Sequence, residues 1–79
     1  MIHKLKILPY YAELHLMNKK NWEIRKNDRD FKVNDKIYFE VIEEEKHPLG
    51  KRCYRRKIDY VFEGEEYGLE KGYCILSIS

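Results

Sequence analysis

The sequence holds no threonine, only two cysteines, two prolines and four glycines, and no apolar run near the ~20 residues of a membrane span. Each shortage excludes something. Without threonine, one of the common hydroxyl nucleophiles is missing. Cys53 and Cys74 are too few for a disulfide framework. They could pair across adjacent strands, but free, half-buried thiols are expected in a reducing cytosol. Gly64 and Gly68 lack the Lys-Ser/Thr that follows a phosphate-cradling loop, so no nucleotide cofactor is expected. His3, His15, His47, Cys53 and Cys74 carry enough donor atoms for a metal, yet no two stand at zinc-ligand spacing. Residues 1–4 lack the apolar region and small-residue cleavage site of a secretory signal. The expectation is a cytoplasmic, non-membrane protein that needs neither metal nor cofactor.

What the chain does have is charge and aromatic area. Charged residues make up 38% of its 79 residues, but the net charge is only +2. A uniformly basic protein is excluded, so a polyanion site requires charge segregation. Residues 17–36 carry seven cations and four anions, and residues 51–57 carry five cations and no anion. Residues 40–45 and 63–66 hold four and three acids with no base. Eleven aromatic residues suit a small domain, which buries only about 60% of its unfolded surface.

The hydrophobic pattern gives the order of elements. Residues 2–8 read as a strand, with His3, Leu5 and Ile7 on one face. Pro9 ends it and suits the first turn of a helix over residues 9–17, with Tyr10, Leu14 and Met17 as its apolar stripe. Asn18 is a residue that tolerates a left-handed helix stop. Residues 21–26 read as the second strand, with Trp22 and Ile24 facing the core and Glu23 and Arg25 facing out. Residues 27–30 form a turn plugged by Phe31 and Val33, and Asn34-Asp35 a further turn. Strands follow at 36–43, 51–62 and 73–78, with Tyr54, Ile58, Tyr60 and Phe62 on the apolar face of the long one. Residues 47–50 are a loop, and glycines punctuate residues 63–71. The fold class is mostly β with one short helix (α+β). Residues 1–79 form a single domain whose five short strands curl into a small β-barrel.

Two charged groups are candidates for function. The first is Lys20, Glu23 and Arg25, continued by Lys26 and Arg29, with Lys6 and His3 contributed by the first strand. Arginine offers paired donors to a phosphate or a base edge, and glutamate accepts from an exocyclic amine such as that of cytosine. The competing reading is a structural ion pair. Exposed pairs contribute only about 0–1 kcal/mol, which would not call for this density of charge. The second is the basic run at residues 51–57 with its interleaved Tyr54, which fits either a nucleic-acid surface or a solubilising edge strand. The edge strand is preferred because Tyr54 falls on the apolar face.

The segment Asn18-Lys19-Lys20-Asn21-Trp22-Glu23-Ile24-Arg25 resembles the G-x-K-x-x-E-x-R motif of the ASCH (activating signal cointegrator homology) family. Lys20, Glu23 and Arg25 match, and Asn18 stands in place of the glycine. A nearer similarity, to a small bacterial and phage branch of ASCH-like proteins, runs through His3-x-Leu5-Lys6-Ile7, Pro9-x-Tyr11, residues 23–35, Tyr67-Gly68-Leu69 and Gly72-Tyr73. The resemblance implies a PUA-like β-barrel whose motif lines a cleft beside the helix and binds RNA or a modified nucleoside. Some bacterial ASCH proteins hydrolyse acetylated cytidine through a K-x-x-T arrangement. Here Glu23 occupies the threonine's place, so a covalent threonine mechanism is excluded. The preferred expectation is a non-enzymatic RNA- or nucleotide-binding module with no catalytic residue. The alternatives are a small hydrolase using Glu23 as general base beside Lys20, and a protein-interaction or regulatory domain using the acidic run at residues 40–45.

Overall fold

A computed structural model describes residues 1–42 and 52–79. The elements run β1 (Ile2–Ile7), α1 (Pro9–Leu16), β2 (Trp22–Lys26), β3 (Lys36–Val41), β4 (Cys53–Phe62), a short 3-10 turn (Glu65–Tyr67) and β5 (Tyr73–Ile78). The expected loop at residues 47–50, the last residue of the predicted third strand and the first of the fourth lie outside the described residues.

Local chemistry sets the element boundaries. Leu8 holds the extended conformation, ψ 147°, that a residue before proline prefers, and Pro9 opens the helix. The helix ends where Asn18 turns left-handed at φ 62°, as the sequence suggested. Asn34 reverses the chain ahead of β3 at φ 75°.

The five strands form one sheet in the order β1-β3-β4-β5-β2. β1 and β3 are parallel, which requires the crossover that α1 and β2 provide. The other pairings are antiparallel. The sheet curls into a half-barrel around Leu5, Ile7, Ala12, Phe31, Ile37, Phe39, Val41, Ile58, Cys74, Leu76 and Ile78. β1 and β2 are its two outer edges, and their approach to one another forms a seam.

Several expected facings are corrected. Tyr10 and Met17 are exposed and Leu14 is half-buried; the helix instead buries Ala12 and His15. A small side chain at position 12 lets the helix backbone lie close to the sheet. Val33 is exposed and Phe31 alone plugs the turn. A register shift between Ile58 and Tyr60 turns Tyr60 outward and brings Val61 against the core. β4 is central in the sheet rather than an edge strand, so its cations do not serve to blunt an edge. Cys53 and Cys74 form no disulfide, the first being exposed and the second buried. No helix among the described residues is long and apolar enough to cross a membrane.

Candidate functional site

The largest departure from the hydrophobic pattern is in β2. Trp22 and Ile24 are 45% and 48% exposed, whereas Glu23 is buried. The expected facing of this strand is therefore reversed. A buried carboxylate is costly unless charged or hydrogen-bonding partners surround it. Glu23 has three. Lys20 Nζ donates to its Oε1 at 2.6 Å, His15 Nε2 lies 3.0 Å from the same oxygen, and Arg25 Nε donates to Oε2 at 3.0 Å.

His15 links this group to the core. A carboxylate can only accept, so Nε2 carries the proton and Nδ1 accepts from the Tyr54 hydroxyl at 2.7 Å. Burial pushes the His15 pKa down, chiefly by desolvation, with Glu23 opposing, so the ring is neutral. Burial, reinforced by the Glu23 charge, pushes the Tyr54 hydroxyl up to about 12, which keeps it a donor. Tyr54 stacks on Phe39 at 5.1 Å, and Arg56 lies 4.9 Å over its ring. A chain of contacts thus fixes Glu23 from behind while Lys20 and Arg25 face outward.

They face an open cleft of about 420 Å³ lined by Lys6, Ile7, Leu8, Tyr11, Lys20, Trp22, Glu23, Ile24 and Arg25. The cleft sits at the seam, beside the N-terminal half of α1. Lys20 Nζ lies 4.9 Å from the Tyr11 ring centroid and 4.8 Å from that of Trp22. Both rings are partly exposed. Flanking β2, the Asn21 carbonyl accepts from Ile78 N–H and the Asn27 N–H donates to the Gly72 carbonyl, so the odd residues of the strand bond to β5. The backbone N–H and C=O of Ile24 therefore face away from β5, toward β1.

Donor capacity remains in this cluster. Lys20 has three N–H groups and spends one on Glu23. Arg25 has five; Nε bonds Glu23 and Nη2 bonds the Lys6 carbonyl at 2.9 Å across the seam. With His15 neutral, two cations surround one carboxylate, and Lys6 adds a third cation to the cleft. Lys20 and Arg25 already donate to the two Glu23 oxygens and His15 lies against one of them, an arrangement suited to orienting its neighbours rather than to taking a proton from water.

The candidate residues divide. Lys20, Glu23, Arg25 and Lys6 converge on the cleft. Lys26, Arg29 and His3 do not line it. Arg29 donates to the Lys4 carbonyl at 2.9 Å and thereby staples β2's extension to β1. His3 bonds Asp35 at 2.8 Å in a separate buried cluster beside Phe31. His15, Tyr54, Tyr11 and Trp22 were missed as site residues. His15 and Tyr54 lie 39 residues apart, and nothing in the local pattern joins them. Among the described residues no three His, Cys, Asp or Glu side chains group as metal donors.

Fold and site together define a small β-rich domain with an aromatic-flanked cationic cleft between its two edge strands. The chain belongs to the family described as a domain of unknown function (DUF3850), whose model matches residues 2–78. Comparison with curated proteins finds no match.

Proposed function

We propose that this domain binds RNA or a nucleotide in the cleft, and that it does so without catalysis. One observation carries the reading: Lys6 of β1, Lys20 of the turn after α1, and Glu23 and Arg25 of β2 open onto a single concavity flanked by the rings of Tyr11 and Trp22. The unspent N–H groups of Lys20 and Arg25 suit a phosphate. The exposed ring faces suit a base, and the Ile24 backbone supplies one donor and one acceptor for its edge. The likeness of the Lys20, Glu23 and Arg25 spacing to the ASCH motif supports the same reading, and with it a kinship to PUA-like barrels. The acetylated-nucleoside hydrolase gains less, because the oxygens of Glu23 are already engaged.

Trp22 is the only tryptophan, so its fluorescence reports on the cleft directly. Titration with cytidine monophosphate and with single-stranded and hairpin RNA is expected to give saturable quenching that weakens as salt rises. Lys20→Ala and Arg25→Ala should each weaken it about tenfold or more. An unchanged signal at both low and moderate salt, or variants that bind as the parent does, would overturn the reading.

A further inference from the structure

The strand register places a second group of cations together, on the outer face of β1, β3 and β4. Ile2, Lys36 and Lys57 share one rung; Lys4, Tyr38 and Arg55 the next; Lys6, Glu40 and Cys53 the third. Their neighbours along each strand point the other way, into or toward the core, as His3, Leu5, Ile37 and Phe39 do. Five cations and one anion therefore occupy a single three-stranded face, in a chain whose net charge is only +2. Lys57 shares its charge with Asp59 at 3.6 Å. Lys4, Lys6, Lys36 and Arg55 take part in no ion pair among the described residues. The basic run supplies only Arg55 and Lys57 to this face; the other three cations come from β1 and β3. The face is assembled from residues far apart in sequence, and a central strand needs no charge to protect it.

We propose that this face is a track for an extended single strand of nucleic acid, running along β1 into the cleft. The inference deepens the nucleotide reading of the cleft: Lys6 stands both on the third rung and in the cleft lining, so the two surfaces are continuous. Successive outward residues on a strand are about 6.7 Å apart and adjacent strands about 4.8 Å, which spreads the cations as separate point charges rather than one cluster. Tyr38, half-exposed between Lys4 and Arg55, supplies a ring at the centre. Cations for phosphates around a ring for a base is the pattern of a sequence-tolerant single-strand surface. An amphipathic peptide or a lipid surface would need apolar anchors, and Ile2 at one corner is the only aliphatic side chain on the three rungs.

The test compares the full chain with the triple variant Lys4→Gln, Lys36→Gln, Arg55→Gln, none of which lines the cleft. A labelled single-stranded RNA 12-mer, its DNA counterpart and a glutamate 12-mer are titrated by anisotropy over a range of salt. Mononucleotide binding is read in parallel from Trp22. The triple variant should reduce the slope of log affinity against log salt by about 2 for both nucleic acids, at about 0.7 per phosphate contact. The ratio of 12-mer to mononucleotide affinity should fall about tenfold. Tyr38→Leu should weaken the 12-mers about five-fold. An unchanged slope and ratio would overturn the proposal, as would a fall confined to RNA, or a glutamate 12-mer that binds the parent as tightly as RNA does. If no mononucleotide binds at all, the cleft reading fails, and the 12-mer salt slope alone decides the face.

Discussion

Two buried carboxylates in this domain each meet a histidine, and they serve different ends. Asp35 Oδ2 bonds His3 at 2.8 Å and the Lys32 N–H at 3.1 Å, while Oδ1 meets the N-terminal amine at 3.3 Å. Its partners are a core ring, a turn amide and the start of β1, and together they tie the turn before β3 to the parallel strand beside it. None of these residues lines the cleft. Glu23 meets His15, but also two side-chain cations that open onto the cleft. One carboxylate ties the fold together and the other holds two cations at the wall of an open cleft. A buried acid with a histidine is thus not by itself a site; the unspent donors and the open space beside Glu23 are what distinguish it.

The difference can be broken from either side. Glu23→Ala has the largest expected effect. It strips the common partner from His15, Lys20 and Arg25, and should lower stability by about 3 kcal/mol in urea titration while abolishing nucleotide binding. Asp35→Ala should cost about 2 kcal/mol, the loss of hydrogen bonds to an ionised group, and leave binding within about twofold once the protein is folded. If Asp35→Ala weakened binding as much as Glu23→Ala, the separation of roles would collapse.

Acid should distinguish the two clusters by window. The His15 pKa is lowered by burial, so below 6.5 the unfolded chain binds a proton that the folded one refuses. Stability should therefore fall as pH drops below 6.5, and His15→Gln should flatten that limb. The Asp35 carboxyl is held below its ordinary 3.8 first by the His3 hydrogen bond, with burial opposing. Its contribution is fully present above that value and is lost as pH falls through the folded pKa. Asp35→Asn should remove this lower limb and leave the upper one intact. Denaturant titrations at stepped pH check both.

Smaller effects sharpen the picture. Tyr54→Phe removes the hydroxyl that satisfies His15 Nδ1 and should cost about 1 kcal/mol. It should weaken nucleotide binding only modestly, since Tyr54 acts on the cleft through His15. Arg29→Ala should change stability by less than about 0.5 kcal/mol, because its one bond to the Lys4 carbonyl is exposed. Thermal melts suffice for both.

Much of the scaffold was legible in the chain. Alternation gave β1 with His3, Leu5 and Ile7 inward, and Pro9 and Asn18 marked the two ends of the helix. The sequence reading failed where burial depends on distant partners. Glu23 goes inside where His15 of the helix joins Lys20 and Arg25 around it, while Trp22 and Ile24 turn outward. Hydrophobicity alone therefore assigned β2 the wrong face. The Ala12 and His15 face of the helix was missed for the same reason: neither is a large apolar residue, and close approach to the sheet is not written into helical periodicity. Of the residues the sequence singled out, Lys6, Lys20, Glu23 and Arg25 gather at one cleft, while Lys26, Arg29 and His3 lie away from it. The largest break in the pattern, the reversed facing of β2 at Glu23, falls in the candidate site.

The most direct test is a two-dimensional amide NMR map of the whole chain titrated with cytidine monophosphate. The account predicts saturable shifts centred on Lys20, Trp22, Glu23, Ile24 and Arg25, reaching Tyr11, Lys6 and His15, with His3 and Asp35 unmoved. Shifts centred on the His3 and Asp35 cluster, or none that saturate, would contradict it.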